Sequence, residues 1–218
     1  MVSGVSGSGK TTLVKQILYP ALQKLKGEPG DKVGMHKAIR GDVDSISQIE
    51  LVDQNPIGKS SRSNPVTYIK AWDEIRDLFS RQPLSKMRGF QPKHFSFNVD
   101  GGRCDTCKGE GEQVVEMQFL ADVHLTCEVC HGKRFKEEIL EVTYHEKNVY
   151  DVLDMSVDEA LEFFKDEKDI LQKIRPLSDV GLGYVKLGQS SDTLSGGEAQ
   201  RVKLASFLGK GRSQGHIL

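Results

Sequence analysis

Leu194-Ser195-Gly196-Gly197-Glu198-Ala199-Gln200-Arg201 is the stretch on which the reading of this chain turns. Ser195 stands where an N-cap serine belongs, and Glu198 follows three residues later, the spacing of a capping box. Ala199, Val202, Leu204, Ala205 and Leu208 continue a partly helical apolar stripe, so a helix begins here, with Leu194 as its buried anchor. Capping does not account for Gly196 and Gly197, which occupy the first turn, where each glycine costs about 1 kcal/mol against alanine. Amides without side chains at a helix N-terminus suit a phosphate.

Near the chain's start, Gly4-Val5-Ser6-Gly7-Ser8-Gly9-Lys10-Thr11 fits G-x-x-x-x-G-K-[ST] at every fixed position. Gly4, Gly7 and Gly9 permit the tight turning that aims backbone N–H groups at phosphate oxygens. Lys10 is placed to reach the terminal phosphates and Thr11 to offer a hydroxyl to Mg, with Ser6 and Thr12 completing the expected ATP-binding set. Lys10 to Leu18 is predicted to continue as a helix whose positive end faces the nucleotide, with Tyr19-Pro20 marking its end. The two motifs together resemble an ATP-binding cassette. In that class the LSGGE segment meets the terminal phosphate held by the P-loop of a partner domain, so one copy alone does not close a site.

Cys104-x-x-Cys107 and Cys127-x-x-Cys130, with nineteen residues between the pairs, have the spacing of a four-thiolate zinc site. Gly109 and Gly132 follow each pair by two residues and allow the turn that brings N–H groups to the thiolates. Arg103, Lys108, Lys133 and Arg134 flank them and favour ionised sulfur. Four cysteines fill all four ligand places, which makes one structural zinc ion the expectation. Disulfides and unliganded thiols are the competing readings. His94, His124, His131 and His145 then read as surface or packing residues.

At 218 residues the chain can hold one sizeable core and a smaller module. It has no apolar run of 18 residues, so no membrane span is expected, and no signal-peptide core opens it, which makes the cytoplasm the default. The net charge is only −1, but 17 acidic and 6 basic side chains fall between 110 and 170, against 14 acidic and 24 basic elsewhere. From Leu78 to Val99 there is no acid, and Arg81, Lys86, Arg88 and Lys93 alternate with Phe90, Phe95 and Phe97. Such a stretch can meet nucleic-acid phosphates. For each phenylalanine singly, inward packing is the better reading.

Between these motifs the pattern predicts a polar loop over 27–41 with a short strand at Val33–Ile39, then a strand over Ser45–Val52 delivering Asp53-Gln54-Asn55-Pro56 to a loop. Val66 to Phe79 has helical spacing through Tyr68, Trp72, Ile75 and Phe79, with Trp72 in the core. Gln113–His124 alternates as a strand or hairpin, and Glu138–Tyr144 alternates likewise. Val157–Phe164, opened by Ser156 and Glu159, and Lys168–Ile174 read as helices. Gly181-Leu182-Gly183 breaks the pattern, and 183–193 is predicted to be an extended lead into the last helix.

The order of blocks carries a specific resemblance. V-D-Q-N-P-I-G, then R-S-N-P at Arg62–Pro65, F-S-F-N-V-D-G-G-R-C at Phe95–Cys104, C-E-V-C-H-G-K-R, D-V-G-L-G-Y-V-K-L-G-Q and L-S-G-G-E-A-Q-R-V-K-L-A-S together resemble the UvrA family over nearly the whole chain. These are the ATP-binding, damage-sensing subunits of the bacterial excision nuclease of nucleotide-excision repair. The blocks match the family's C-terminal nucleotide-binding half. The resemblance implies an α/β P-loop NTPase of ABC type, its sheet incomplete here, with a helical signature lobe and an inserted small β-rich zinc module. It implies a division into an ATP-binding lobe over 1–65, a helix plus zinc insertion over 66–148, and a signature lobe over 149–218 that returns to the core. It makes Gln54 the glutamine that senses metal and attacking water, gives Leu194, Ser195, Gly196, Gly197 and Glu198 to the opposite ATP site, and matches the four cysteines to the family's zinc module. ATP, Mg and Zn are the implied cofactors. Damaged double-stranded DNA, a UvrB-like protein, the second nucleotide-binding half and a second copy are the implied partners.

Only three residues precede the P-loop, and the chain stops as a further strand begins at His216, before the family's magnesium-binding aspartate and catalytic glutamate. A fragment without its own hydrolytic base is therefore expected. Three rivals stand beside this reading: a UvrA-like resistance paralogue without UvrB, a transporter cassette, and a zinc-stabilised interaction module resembling the cysteine repeats of J-domain chaperones. The last has no P-loop, and transporter cassettes place the signature much nearer the P-loop than the 183 residues between Lys10 and Leu194.

Overall fold

Capping side chains and a few left-handed residues set most element boundaries in the computed structural model, which describes residues 2–58, 62–115, 117 and 123–209 and the backbone of His216 and Ile217. The chain divides into two units, Met1–Asp53 with Lys210–Leu218, and Gln54–Gly209.

In the first unit, helix α1 (Lys10–Thr12) runs through a π-helical stretch, Leu13–Leu18, into α2 (Tyr19–Leu25). The stop predicted at Tyr19-Pro20 does not occur. Proline has no N–H and its ring crowds the carbonyl four residues back. The widened turn relieves both problems, with the Tyr19 N–H bonded to the Val14 carbonyl five residues back. Strand β1 (Ile46–Gln48) lies parallel to a second strand, His216–Ile217, with Ile46 opposite His216. It is shorter than the predicted Ser45–Val52. No strand forms at Val33–Ile39. The Gly34 N–H donates instead to the Gln16 carbonyl at 2.8 Å, tying that segment to the helix. Pro20, Ala21, Leu22 and Ile49 are the buried apolar side chains described in this unit.

The second unit is helical around one continuous apolar cluster. Asn64 caps α3 (Pro65–Tyr68) by accepting the Thr67 N–H at 3.0 Å, and Pro65 supplies the preset φ of a first helical position. One helix is predicted over Val66–Phe79, but Lys70 at φ 62° interrupts it and α4 (Ala71–Ser80) starts afresh. The interruption re-aims the chain so that Val66, Trp72, Ile75 and Phe79 are all buried. Helix α5 (Pro83–Arg88) and a 3-10 turn, Pro92–Phe95, then bring two aromatic rings back onto α4. Phe95 lies 5.8 Å from Phe79 and Phe97 lies 5.6 Å from Trp72, ring centre to ring centre.

The hairpin expected within Gln113–His124 is present as strands Glu112–Val115 and Val123–Thr126, antiparallel, with Val115 opposite Val123; positions 116 and 118–122 lie outside the described residues. The strand predicted at Glu138–Tyr144 is instead helix α6 (Glu137–Leu140) followed by a turn. Ile139 and Val142, both fully buried, lie three residues apart on one side, which fits a helical face as well as the alternation did. Asn148 and Ser156 open α7 (Val149–Asp154) and α8 (Val157–Phe163), each with a capping box. Helix α9 (Lys168–Asp179) continues past the predicted Ile174 and across Pro176, then ends where Gly181 takes φ 76°. Helix α10 (Gly196–Leu208) packs on α9, which also contacts α4 and α8. The lead over 183–193 is built of turns rather than extended chain. It is pinned by Leu187, whose carbonyl accepts the Val66 N–H at 3.1 Å and whose N–H donates to the Met155 carbonyl at 2.9 Å. Among the described residues no helix is long and apolar enough to cross a membrane.

Candidate functional site

The residues singled out by the sequence fall in four places. In the first unit, Gly7 and Gly9 take φ 79° and 85°, a backbone that a side chain would strain, and so curl the loop ahead of Lys10. The Lys10 ammonium donates to the carbonyls of Gly4 and Val5, both at 2.7 Å, and to Ser8 Oγ at 3.3 Å. Thr11 and Thr12 sit exposed in the first helical turn. The Leu13 N–H reaches back to the Gly9 carbonyl at 2.8 Å, so the loop feeds directly into the helix.

In the second unit the LSGGE segment forms the N-terminus of α10. Ser195 has extended φ and ψ, as an N-cap residue does. Its N–H and hydroxyl both donate to Glu198 Oε2, at 2.8 and 2.9 Å, and the Glu198 N–H donates back to Ser195 Oγ at 3.3 Å. Leu194 is buried. A side chain added at Gly197 would meet nothing within 4 Å, whereas one at Gly196 would lie 3.3 Å from Gln54 Cβ. Gln54 is thus a neighbour of the signature's first turn, a contact that a separation of 142 positions conceals. Two further residues join here, both inside sequence blocks already quoted but given no role there. Tyr184 donates its hydroxyl to Glu198 Oε1 at 2.6 Å, and Arg201 Nη2 donates to that same hydroxyl at 3.3 Å. The Glu198 carboxyl is held below the usual carboxylate range, first by the Tyr184 hydroxyl and then by the Ser195 N–H and hydroxyl.

Cys104, Cys107, Cys127 and Cys130 are all buried, none is in a disulfide, and their sulfurs lie within 4.8 Å of one another. Cys104 and Cys127 sulfurs are 3.9 Å apart and those of Cys107 and Cys130 are 3.6 Å apart. Tetrahedral thiolates bound at about 2.3 Å stand about 3.8 Å apart, so the cluster is compatible with a zinc ion. Each knuckle turns through two left-handed residues, Lys108 and Gly109, then His131 and Gly132. Gly109 is required twice over, since a Cβ there would stand 2.1 Å from the Phe97 carbonyl oxygen. Burial raises the Cys107 thiol and pushes Cys130 up to about 12. At Cys127 burial also acts upward, but N–H groups of Cys130 and Val129 outweigh it and bring the thiol down to about 7. Four crowded thiols favour ionisation together only around a cation.

Two of the flanking bases have other partners. Arg103 pairs with Asp100 at 2.7 Å, and the Arg134 guanidinium lies over the Phe97 ring, 5.7 Å from its centre. Glu110 of the first knuckle pairs with Arg62 at 2.8 Å, and the neighbouring Ser63 carbonyl accepts the Ser191 N–H at 2.8 Å. One short segment therefore touches both the cysteine centre and the lead to α10. His124 pairs with Glu112, and His94 caps the Pro92–Phe95 turn.

Of the basic stretch, Arg81 pairs with Asp77 at 3.0 Å and Arg88 with Glu141, while Lys86 and Lys93 are exposed. Phe95 and Phe97 are fully buried and Phe90 half-buried, so the first two rings belong to the core and are not presented to bases.

No protein-family model matches the chain. Curated relatives match it from end to end: UvrABC system protein A of Clostridium tetani is 54% identical over 217 residues, and that of Bacillus subtilis is 54% identical over 217. Each alignment takes in 100% of this chain but 23% and 22% of the relative, so the chain spans about a quarter of their length. The crystal structure of UvrA2 from Deinococcus radiodurans superposes with a TM-score of 0.82 at 50% identity, covering 94% of this chain and 24% of that one. The fold is therefore of the ABC ATPase type. Within that class, the chain belongs to the UvrA family.

Proposed function

We propose that this chain is the ATP- and DNA-binding part of a nucleotide-excision-repair damage sensor, which uses ATP binding and hydrolysis to control recognition of damaged duplex and loading of UvrB. The observation that carries the reading is the identity of 54% to UvrABC system protein A in an alignment that takes in 100% of this chain. Functionally the chain divides into an ATP-binding lobe over 1–65, a helix with its zinc insertion over 66–148, and a signature lobe over 149–218.

In this reading the loop amides from Gly4 to Gly9 and the Lys10 ammonium hold the phosphates, with Lys10 exchanging the Gly4 and Val5 carbonyls for phosphate oxygens. Ser6 and Thr12 line the same loop. Thr11 would hold Mg, which supplies charge neutralisation between phosphates when bound. Gln54 senses the metal and water. Ser195, Gly196 and Gly197 present a hydroxyl and side-chain-free amides to the terminal phosphate of an opposite site, supplied by the second nucleotide-binding half or a second copy. Leu194 anchors that turn and Glu198 orients it. Cys104, Cys107, Cys127 and Cys130 would hold one structural zinc ion, whose contribution is to fix the knuckles. Lys86 and Lys93 are better placed for DNA phosphates than Arg81 and Arg88, which already have acidic partners. The site of action is the cytoplasm.

The test uses full-length protein carrying this sequence. Affinity for a duplex with one bulky adduct and for the undamaged duplex is measured across a salt titration, with and without ATP. An ATP-controlled preference for the adduct, weakening as salt rises, is the expected result. Absence of duplex binding at low salt overturns the reading. Adduct preference without capture of UvrB would assign the chain to a UvrA-like paralogue without UvrB.

A further inference from the structure

Tyr184 is the residue at the signature that neither motif nor resemblance gives a role. Its side chain is 63% exposed, yet its hydroxyl is committed twice, donating to Glu198 Oε1 at 2.6 Å and accepting from Arg201 Nη2 at 3.3 Å. Arg201 is itself fixed by the end of α9, where its Nη1 donates to the Gly181 carbonyl at 3.0 Å and the Val180 carbonyl at 3.4 Å. The left-handed turn at Gly181 makes room for that guanidinium, because a Cβ there would lie 3.3 Å from Nη1. Thus a chain of polar contacts runs from the C-terminus of α9 through Arg201 and Tyr184 to Glu198. It ends on Ser195, whose N–H and hydroxyl both reach Glu198 Oε2.

A glutamate in the first turn of a helix can cap without help, as Glu159 does at Ser156, where the matching contacts are 2.7 and 2.8 Å. The difference at α10 is that the second carboxylate oxygen is also tied. With both oxygens held, the carboxylate cannot rotate, and the Ser195 hydroxyl has a fixed resting direction beside Gly197, whose Cβ position opens on free space. A terminal phosphate arriving there competes with Glu198 Oε2 for one proton, that of Ser195 Oγ. The Ser195 N–H and the Tyr184 hydroxyl keep the carboxylate satisfied after the exchange.

We propose that Tyr184 is a positioning residue of the signature: bridged by Arg201, its hydroxyl locks the Glu198 carboxylate so that Ser195 and the first-turn amides of α10 are pre-set for the terminal phosphate. This rests on the nucleotide reading given above. Pre-setting donors for charge that develops at the terminal phosphate lowers the barrier more than it strengthens ground-state binding. The effect therefore falls on kcat rather than on KM.

The experiment is steady-state ATP hydrolysis by the full-length protein. Tyr184→Phe removes one exposed hydroxyl and leaves the ring. It is expected to lower kcat roughly tenfold, the scale of one hydrogen bond to a charged group, with KM for ATP within about twofold. Glu198→Gln should lower kcat comparably, and the double substitution should add little, because both act through one carboxylate. A Tyr184→Phe protein with unchanged kcat overturns the proposal, and so does a double substitution whose loss equals the product of the two single losses. Lys10→Ala separates the two levels. Read as the number of non-hydrolysable ATP analogue molecules bound per chain, unchanged binding in Lys10→Ala overturns the nucleotide reading and takes this one with it. If Lys10→Ala lowers that number while Tyr184→Phe leaves kcat unchanged, only the positioning role is lost.

Discussion

The two units hold their motifs by different means. Around the P-loop, few side chains are buried, and the loop keeps its shape through glycine φ angles and the hydrogen bonds of Lys10. In the second unit the signature sits on a cluster that runs from Val66 to Ala205, and the four cysteines form a buried cluster of their own. A phosphate-binding loop can thus be defined almost entirely by local backbone chemistry, whereas a helix N-terminus or a thiolate cluster depends on what the rest of its unit packs against it. Substitutions in the two units should accordingly be felt differently, in binding for the first and in stability for the second.

The largest expected effect is at the cysteine centre. Cys127→Ala should abolish a stoichiometry of one zinc per chain and leave the knuckles without their cross-link. The centre is expected to supply several kcal/mol of local folding free energy, since structural zinc sites bind with about 10–16 kcal/mol in isolated fingers. Native mass spectrometry, with hydrogen exchange over 104–135, measures both. Retained zinc in the variant would break the comparison at its strongest point. Next comes Phe79→Ala, which removes a fully buried ring packed on Phe95 and should cost about 3–5 kcal/mol. Its counterpart, Leu13→Ala on the half-exposed face of the first unit's helix, should cost under about 1 kcal/mol. Denaturant melts monitored in each unit give the contrast, and equal losses would erase it.

Lys10→Ala sharpens the same contrast from the other side. Nucleotide binding should fall by at least about tenfold, the worth of one charge-assisted contact to phosphate, while the melting temperature of the second unit stays put. Calorimetric titration with a non-hydrolysable ATP analogue reads the first quantity and a thermal melt the second. The smallest effect concerns acid. Because Tyr184 and Ser195 hold the folded Glu198 carboxyl below its ordinary value, its contribution to stability is complete above the unfolded value. It is lost as pH falls through the folded one. Glu198→Gln should flatten that part of the pH dependence of melting, and an unchanged acid limb would count against the network.

Local chemistry was legible in the sequence and most long-range pairing was not. The capping boxes at Ser156 and Ser195 depend on residues three positions apart, and both appear where the spacing puts them, while the paired C-x-x-C spacing brings the four cysteines together. Helix ends were harder. Pro20 and Pro176 look like stops, but a widened turn accommodates one and a helix that continues to Asp179 accommodates the other. Lys70 breaks a perfectly good helical spacing because a left-handed residue, not a glycine, serves the turn. Alternation over Glu138–Tyr144 fits a strand and a one-turn helix equally, and only packing decides. Tyr184, Arg62 and the neighbourhood of Gln54 and Gly196 join residues from 14 to 142 positions apart in partnerships that no periodicity encodes.

The hairpin between the two knuckles shows what that division of labour permits. Its strands leave the thiol cluster directly, with the Cys127 N–H donating to the Gly111 carbonyl at 3.0 Å, so the thiol cluster closes the hairpin at its base. Closing a loop becomes more costly only logarithmically with its length, about 0.6 kcal/mol for each doubling. The span between the cysteine pairs is therefore nearly free to grow or shrink while the centre below it stays the same. The base is the fixed joint and the arm is the adjustable part, so its reach can be changed by insertion or deletion without rebuilding the fold that carries it.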